Sequence, residues 1–520
     1  MTIRIVGGGL AGSEAAWQAA SRGVPVMLYE MRPVRRTAVH KTDRLAELVC
    51  SNSFRGDKLD NAVGLLKEEM RRLDSLVMRA AEASRVPAGA ALAVDRERFA
   101  EIITQTLTAH PLITIVREEI TSIPASSEQC PVIVATGPLT SDALSANLAS
   151  VVGQAHLYFY DAISPIVLAE TIDRSKVFRQ SRWDRSLRTT VRLKPDTTET
   201  VRVKPDTTET VRLKPDTTED TATDTVADDA AAGDSGSVRL QPDPLACGID
   251  DGAGDYLNCP LTRDEYERFY HALVTAESAT LHDFDKERFF EGCLPIEVMA
   301  RRGPDTLRFG PMKPVGLIDP RTRREPYAVV QLRQDNLAGD HFSLVGFQTQ
   351  ITWGDQARVL RMIPGLETAE FVRFGMVHRN TYVNGPAVLA GTWQVRARPT
   401  LFFAGQMSGV EGYVESAASG LLAGINAAAL ATGEPVSSPP RTTAIGALAY
   451  YVSHANPAHY EPSNITFGII QALDQAVRGK KLRNLALSER ALVDLETWAS
   501  ARRHISTAAD AADTEVESCT

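Results

Sequence analysis

Residues 3–12 read Ile3-Arg4-Ile5-Val6-Gly7-Gly8-Gly9-Leu10-Ala11-Gly12, and the order of apolar residues and glycines in this stretch decides the fold. A short strand pattern runs into a turn with glycine at Gly7, Gly9 and Gly12, and a helical pattern follows over Gly12 to Arg22. Glycines admit the tight turn and let a ligand approach the backbone, while the helix start presents free N–H groups and its positive dipole end to a diphosphate. A second strand, Val26-Met27-Leu28-Tyr29-Glu30, completes a βαβ unit. Its last residue, Glu30, stands where an acidic side chain accepts from ribose hydroxyls. Gly7, Gly8, Gly9, Leu10, Ala11, Gly12 and Glu30 are therefore expected to hold a dinucleotide.

Working outward, Val132-Ile133-Val134-Ala135-Thr136-Gly137 reads as a later buried strand, and Leu401-Phe402-Phe403-Ala404-Gly405-Gln406 as another, with a small-residue helix from Ser416 to Ala429. Between them, Tyr327 to Leu332 has a β pattern. The expected fold is α/β: a Rossmann-like domain split by an inserted mixed α+β domain. Its first part is residues 1–155, the insertion 156–384 and its second part, with C-terminal helices, 385–503. The glycine turn does not separate FAD from NAD. A terminal strand followed by a helix starting near Glu415-Ser416 resembles two-dinucleotide-binding flavoproteins, whose last helix aims its N-terminus at the flavin. That likeness implies FAD, with Thr136, Gly137, Gly405, Gln406, Glu415 and Ser416 among its contacts.

At 520 residues the chain is long enough for more than one core, and 43% hydrophobic with 23% charged residues is an ordinary soluble composition. No unbroken apolar run approaches the ~18 residues of a membrane span, and the first strand leaves no room for a leader, so a cytoplasmic protein without a membrane partner is expected. Cys50, Cys130, Cys247, Cys259, Cys293 and Cys519 form no CxxC pair, which argues against a zinc site and a disulfide framework and leaves no metal expected.

A ten-residue unit, Val191-Arg192-Leu193-Lys194-Pro195-Asp196-Thr197-Thr198-Glu199-Thr200, recurs over 201–210 and 211–220. With the Asp/Ala/Thr-rich stretch that follows, it offers too little apolar surface to offset chain entropy, so 184–250 is expected to be a disordered insertion. The net charge of −9 sits there and in the tail: residues 184–250 carry a net −5, and 504–520, expected to be disordered, hold four acids and no Lys or Arg. The remaining body is neutral and free to carry basic faces.

Several longer motifs narrow the chemistry. Leu48-Val49-Cys50-Ser51-Asn52-Ser53-Phe54-Arg55, Asp255-Tyr256-Leu257-Asn258-Cys259-Pro260, Phe290-Glu291-Gly292-Cys293-Leu294-Pro295-Ile296-Glu297, Leu307-Arg308-Phe309-Gly310-Pro311-Met312-Lys313-Pro314 and Gly409-Val410-Glu411-Gly412-Tyr413-Val414-Glu415-Ser416 resemble the bacterial folate- and FAD-dependent tRNA (uracil-5-)-methyltransferases (TrmFO), related to the GidA flavoproteins. The resemblance spans nearly the whole chain outside 184–250 and the tail. It implies methylation of uracil C5 at the T-loop uridine of tRNA, with methylenetetrahydrofolate as carbon donor and FAD reduced by NADPH or NADH. No DNA partner is expected, and oligomeric state is left open.

The chemistry asks for a cysteine on its own account. Uracil C5 is a poor nucleophile until a thiolate adds at C6, so such an enzyme needs an accessible, activated thiol and a base for the C5 proton. By position in the matching motifs, Cys259 is the candidate for the C6 nucleophile and Cys50 for a flavin-side partner, the division between them being open. Asn258 and Pro260 suggest that Cys259 lies on an exposed loop.

Seven cations against two acids between Arg301 and Arg324 give a net +5. Arg301, Arg302, Arg308, Lys313, Arg323 and Arg324, with a second group at Lys480 and Lys481, are expected to hold tRNA phosphates or folate. In His378-Arg379-Asn380-Thr381-Tyr382, Tyr382 is a candidate for stacking on flavin or base and His378 for proton transfer. The rival reading is the related FAD-dependent modifier of tRNA wobble uridines, which is expected to have a longer helical C-terminal region. A flavin-containing RNA-binding scaffold without methyl transfer is the other alternative.

Overall fold

The computed structural model describes residues 1–37, 39–152, 157–162, 164–184, 254–278, 294–375 and 377–517. The ten-residue repeat, Cys247, Cys293 and Cys519 lie outside the described residues.

Along the chain, the elements that position the site are β1 (Ile3–Val6), α1 (Leu10–Ala20), β2 (Val26–Glu30), α2 (Ala62–Arg72), β3 (Ile113–Arg117), β4 (Val132–Val134), β5 (Ile166–Leu168), β6 (Phe178–Arg179), β7 (Tyr256–Leu261), β8 (Ala328–Gln334), β9 (His341–Leu344), β10 (Phe371–Arg373), β11 (Gln394–Val395), β12 (Arg398–Phe403), α3 (Tyr413–Thr432), α4 (Ala444–His454) and α5 (Lys480–Glu517). The first sheet has the order β11-β12-β4-β1-β2-β3, with every neighbour parallel except the β11–β12 pair. Its central strands are apolar on both faces, as a sheet covered on both sides requires: Ile3, Ile5, Leu28, Val132, Ile133, Leu401 and Phe402 are all fully buried. The expected parallel core is thus present, and β12 reaches it from the far end of the sequence.

Helices α1 and α3 pack in close contact because their facing residues are small. A Cβ at Gly420 would stand 2.1 Å from the Ala11 carbonyl oxygen, and one at Gly424 2.5 Å from that of Ala15. Helix α3 is long and apolar enough to cross a membrane, but 89% of its apolar window is buried inside the protein, which is the pattern of a core helix.

A second, antiparallel sheet, β6-β7-β8-β9-β5-β10, is made by residues that fall between β4 and β11 in sequence. Strand alternation gives it two unlike faces. On one, Leu257, Cys259, Val330, Leu332 and Phe342 join an apolar cluster separate from that of the first sheet. On the other, Gln331 donates to Asn258 Oδ1 at 2.9 Å, and Arg333 continues the polar row.

Helix α5 continues to Glu517, over a run, Ala508-Ala509-Asp510-Ala511-Ala512, of high intrinsic helix propensity. One expectation is corrected. Cys259 lies in the interior of β7 opposite Val330, with no exposed surface, rather than on a loop. Pro260 is tolerated because, among the described residues, β6 pairs only with Leu257 and Asn258 and leaves that side of β7 unpaired beyond them.

Candidate active site

The glycine turn forms a cradle whose shape depends on missing side chains. A Cβ at Gly7 would lie 2.5 Å from the Ala135 carbonyl oxygen, one at Gly8 2.5 Å from Leu45 Cδ2, and one at Gly12 1.8 Å from the Gly7 carbonyl oxygen. At Gly9 and Gly137, by contrast, nothing stands within 4 Å of that position, so both border open space. Gly9 caps α1 without any side-chain hydrogen bond, leaving the first N–H groups at Leu10 and Ala11 available to a diphosphate. A cavity opens there, lined by Gly7, Gly9, Glu30, Arg32, Thr136 and Ser141.

Glu30 borders this cavity while locked in place. Its carboxylate accepts from Gly8 N at 3.0 Å, Arg32 N at 3.0 Å and Arg32 Nε at 2.8 Å. Burial works against its ionisation, but the Arg32 guanidinium overrides this and holds the carboxyl below its ordinary range. A fixed anion at the end of β2 suits a ribose diol.

At the other end of the sheet, Gly405, Gly409 and Gly412 have φ of 75°, 88° and 108°, a left-handed path that brings the chain from β12 round to the start of α3. Gln406 Nε2 donates to Glu411 Oε2 at 2.5 Å, and Ser416 occupies the first turn of α3. Glu415 is turned inward: it is fully buried, pairs with Arg55 and accepts from Ile465 N at 2.9 Å. Its Oε2 has no hydrogen-bond partner among the described residues. Tyr382 is buried against Tyr460, so its ring is part of a tyrosine cluster rather than an open platform.

Cys50 is half-buried on the loop 48–52. Arg96 Nη1 donates to the Leu48 carbonyl at 3.0 Å, Arg373 Nη1 to that of Val49 at 3.1 Å, and Arg373 Nη2 to that of Cys50 at 3.4 Å. Arg333 donates to Ser51 Oγ at 2.9 Å and Asn52 Oδ1 at 2.8 Å. Asp335 pairs with Arg96 at 3.0 Å and also acts electrostatically on Arg333 and Arg373. Burial first, and then the neighbouring Arg96, push the Arg373 guanidinium down to about 10. Three guanidinium groups against one carboxylate thus surround the loop that carries the thiol. Sequence reading selected Cys50 but missed Arg96, Arg333, Arg373 and Tyr413, which come from four distant segments.

Cys259 has the opposite surroundings. Burial pushes its thiol well above the ordinary range, and its apolar neighbours offer no route to a substrate. The cationic candidates divide as well. Arg301, Arg302, Lys313, Arg323, Arg324, Lys480 and Lys481 are exposed. Arg308 is instead tied to Asp305 at 2.8 Å and stacked 3.7 Å above the Tyr327 ring, a structural role for its charge.

The parallel sheet, the glycine cradle on the helix N-terminus and the closing β12–α3 unit define a dinucleotide-binding protein of the flavoprotein type. The sequence matches the family "Glucose inhibited division protein A" over residues 2–225 and 246–435. The chain is 50% identical over 498 residues to "Methylenetetrahydrofolate--tRNA-(uracil-5-)-methyltransferase TrmFO" of Anoxybacillus flavithermus, covering 96% of this chain and 99% of the relative. It is 52% identical to the protein of that name from Desulforudis audaxviator, covering 95% and 98%. Among solved structures it resembles Aquifex aeolicus GidA at TM-score 0.60 and 17% identity, covering 97% of this chain and 76% of that one, a likeness of fold. The chain belongs to the TrmFO family, within the wider GidA group.

Proposed function

We propose that this protein methylates uracil C5 in tRNA, taking the carbon from methylenetetrahydrofolate, and that Cys50 is the thiol that makes the base reactive. Membership of the TrmFO family at about half identity along the chain supports the reaction, and the cationic clamp on the Cys50 loop supports the residue. The T-loop uridine as target and NADPH or NADH as reductant belong to the same reading.

The cradle fits FAD: Gly7 to Gly12 and the start of α1 would take the diphosphate, Glu30 the ribose, and the Gly405–Ser416 segment the flavin end. FAD, when bound and reduced, supplies the reducing equivalents that complete the methyl group. The protein's own part lies at Cys50. Arg96, Arg333 and Arg373 hold its loop and stabilise the thiolate, which adds to C6 and turns C5 into an enolate carbon able to attack an electrophilic one-carbon unit. A base then removes the C5 proton as the bond from the new carbon to the folate nitrogen breaks and tetrahydrofolate leaves. Two-electron reduction of the resulting exocyclic methylene, with electrons the flavin would supply, gives the methyl group, and the thiolate leaves as the C5–C6 double bond returns. We read residues 156–384 as a domain inserted into the flavoprotein fold and the exposed cations as tRNA contacts.

Purified protein with methylenetetrahydrofolate, NADPH and an unmodified tRNA transcript is expected to form 5-methyluridine under anaerobic conditions. Absence of product from flavin-loaded protein refutes the reading.

A further inference from the structure

Trp183 is 60% exposed, and its backbone lies at φ 59° and ψ 27°, a left-handed conformation that strains a bulky side chain. Local contacts hold it there. Trp183 N donates to the Gly316 carbonyl at 3.0 Å, and Arg182 Nη1 to that of Val315 at 3.0 Å. The indole is seated against Gly316, where a Cβ would stand 2.8 Å from Trp183 Cε2. An aromatic ring supported by backbone on one side, open to solvent and held by strain is arranged for a contact outside the chain.

Charge and position select the partner. The segment carrying Gly316 also exposes Lys313, Arg323 and Arg324, and no ion pair joins these to a described residue, whereas Arg321 is matched by Asp319. From Trp183 a polar row leads toward the thiol: Arg182 Nε donates to Gln331 Oε1 at 3.1 Å, and Arg333, two residues further along β8, holds Ser51 next to Cys50. Two strand residues span only about 7 Å. Aromatic rings beside unpaired cations are the usual grip on unpaired bases, because every base has a face to stack and every nucleotide a phosphate.

We propose that Trp183 is a stacking platform for an unpaired base of the RNA substrate, neighbouring the nucleotide that reaches Cys50. This rests on the reading of the chain as a tRNA-modifying enzyme.

Trp183→Gly removes the ring and gives the left-handed backbone to the residue that tolerates it best, while Trp183→Tyr keeps an aromatic face. The affinity of each for a labelled tRNA transcript at fixed salt, together with the KM for tRNA, is the measurement. Trp183→Gly is expected to bind about tenfold more weakly with a correspondingly higher KM, and Trp183→Tyr to stay within about twofold of wild type. Unchanged affinity in Trp183→Gly, or an equal loss in Trp183→Tyr, overturns the platform. Indole fluorescence gives a second reading: tRNA should quench wild type more than Trp183→Tyr, and equal quenching also overturns it. The wild-type product assay separates the two ideas, since failure to form 5-methyluridine refutes the enzyme, whereas the platform is judged by binding.

Discussion

The Tyr413 hydroxyl accepts hydrogen bonds from the backbone N–H groups of both Cys50, at 2.8 Å, and Ser51, at 3.1 Å. Tyr413 is the first residue of α3, so the thiol loop is fastened to the helix that closes the dinucleotide fold. Removing the hydroxyl leaves two half-buried donors without this acceptor, each a cost of about 1 kcal/mol or more. Tyr413→Phe should therefore lower kcat for methyl transfer about tenfold and slow alkylation of Cys50 by iodoacetamide, with flavin retained. Wild-type alkylation and turnover in the variant would show the clamp to be dispensable.

The two cysteines should part company. Cys50→Ala is expected to abolish 5-methyluridine formation with flavin still bound, while Cys259→Ala keeps turnover and loses about 1–2 kcal/mol of stability in denaturant titration through the small cavity it leaves. An inactive but fully folded Cys259→Ala would return that residue to the chemistry.

Glu415 has no exposed surface and Arg55 is its cationic partner. Arg55→Met strands the carboxylate beneath the first turn of α3, and breaking such a pair costs about 3 kcal/mol. A fall in thermal midpoint and a loss of flavin on gel filtration are expected; a double variant with Glu415→Gln should recover much of the stability. Independent, additive losses would argue that the two side chains are not coupled.

A buried carboxyl sets a pH dependence. Burial pushes Glu69 up from 4.5 to about 8, although Ala444 N and Ile445 N, at 2.7 and 2.8 Å, donate to it at the start of α4. Between those pH values the folded protein keeps a proton that the unfolded chain releases, so the stability this group contributes is complete below the lower value and is lost as pH rises through the upper one. Glu14 and Glu297, also raised by burial, act in the same direction. The melting temperature should fall between pH 5 and 8, and Glu69→Gln should flatten that fall; an unchanged slope would exclude Glu69 as its source.

How far the sequence could be read follows from the range of the interactions. The cradle was legible because strand, glycines and helix are adjacent in the chain, and β12 because a buried parallel strand is apolar throughout. Cys259 was misread because a proline usually marks a break, and only the short reach of β6 makes it harmless in β7. The surroundings of Cys50 were not legible: Arg96, Arg333, Arg373 and Tyr413 converge on it through tertiary packing, and no local pattern in any of the four segments points to the others. Trp183 escaped notice for the same reason, since its seat is Gly316.

The close seating of α1 on α3 sets an order for biogenesis. A ribosome that has made β1, α1 and β2 has not yet made the glycines at 420 and 424 against which Ala11 and Ala15 rest. The side of the first helix that rests on α3 therefore stays uncovered until Gly420 and Gly424 have been synthesised, so the nascent protein should rely on chaperone shelter and take up flavin only after α3 is made.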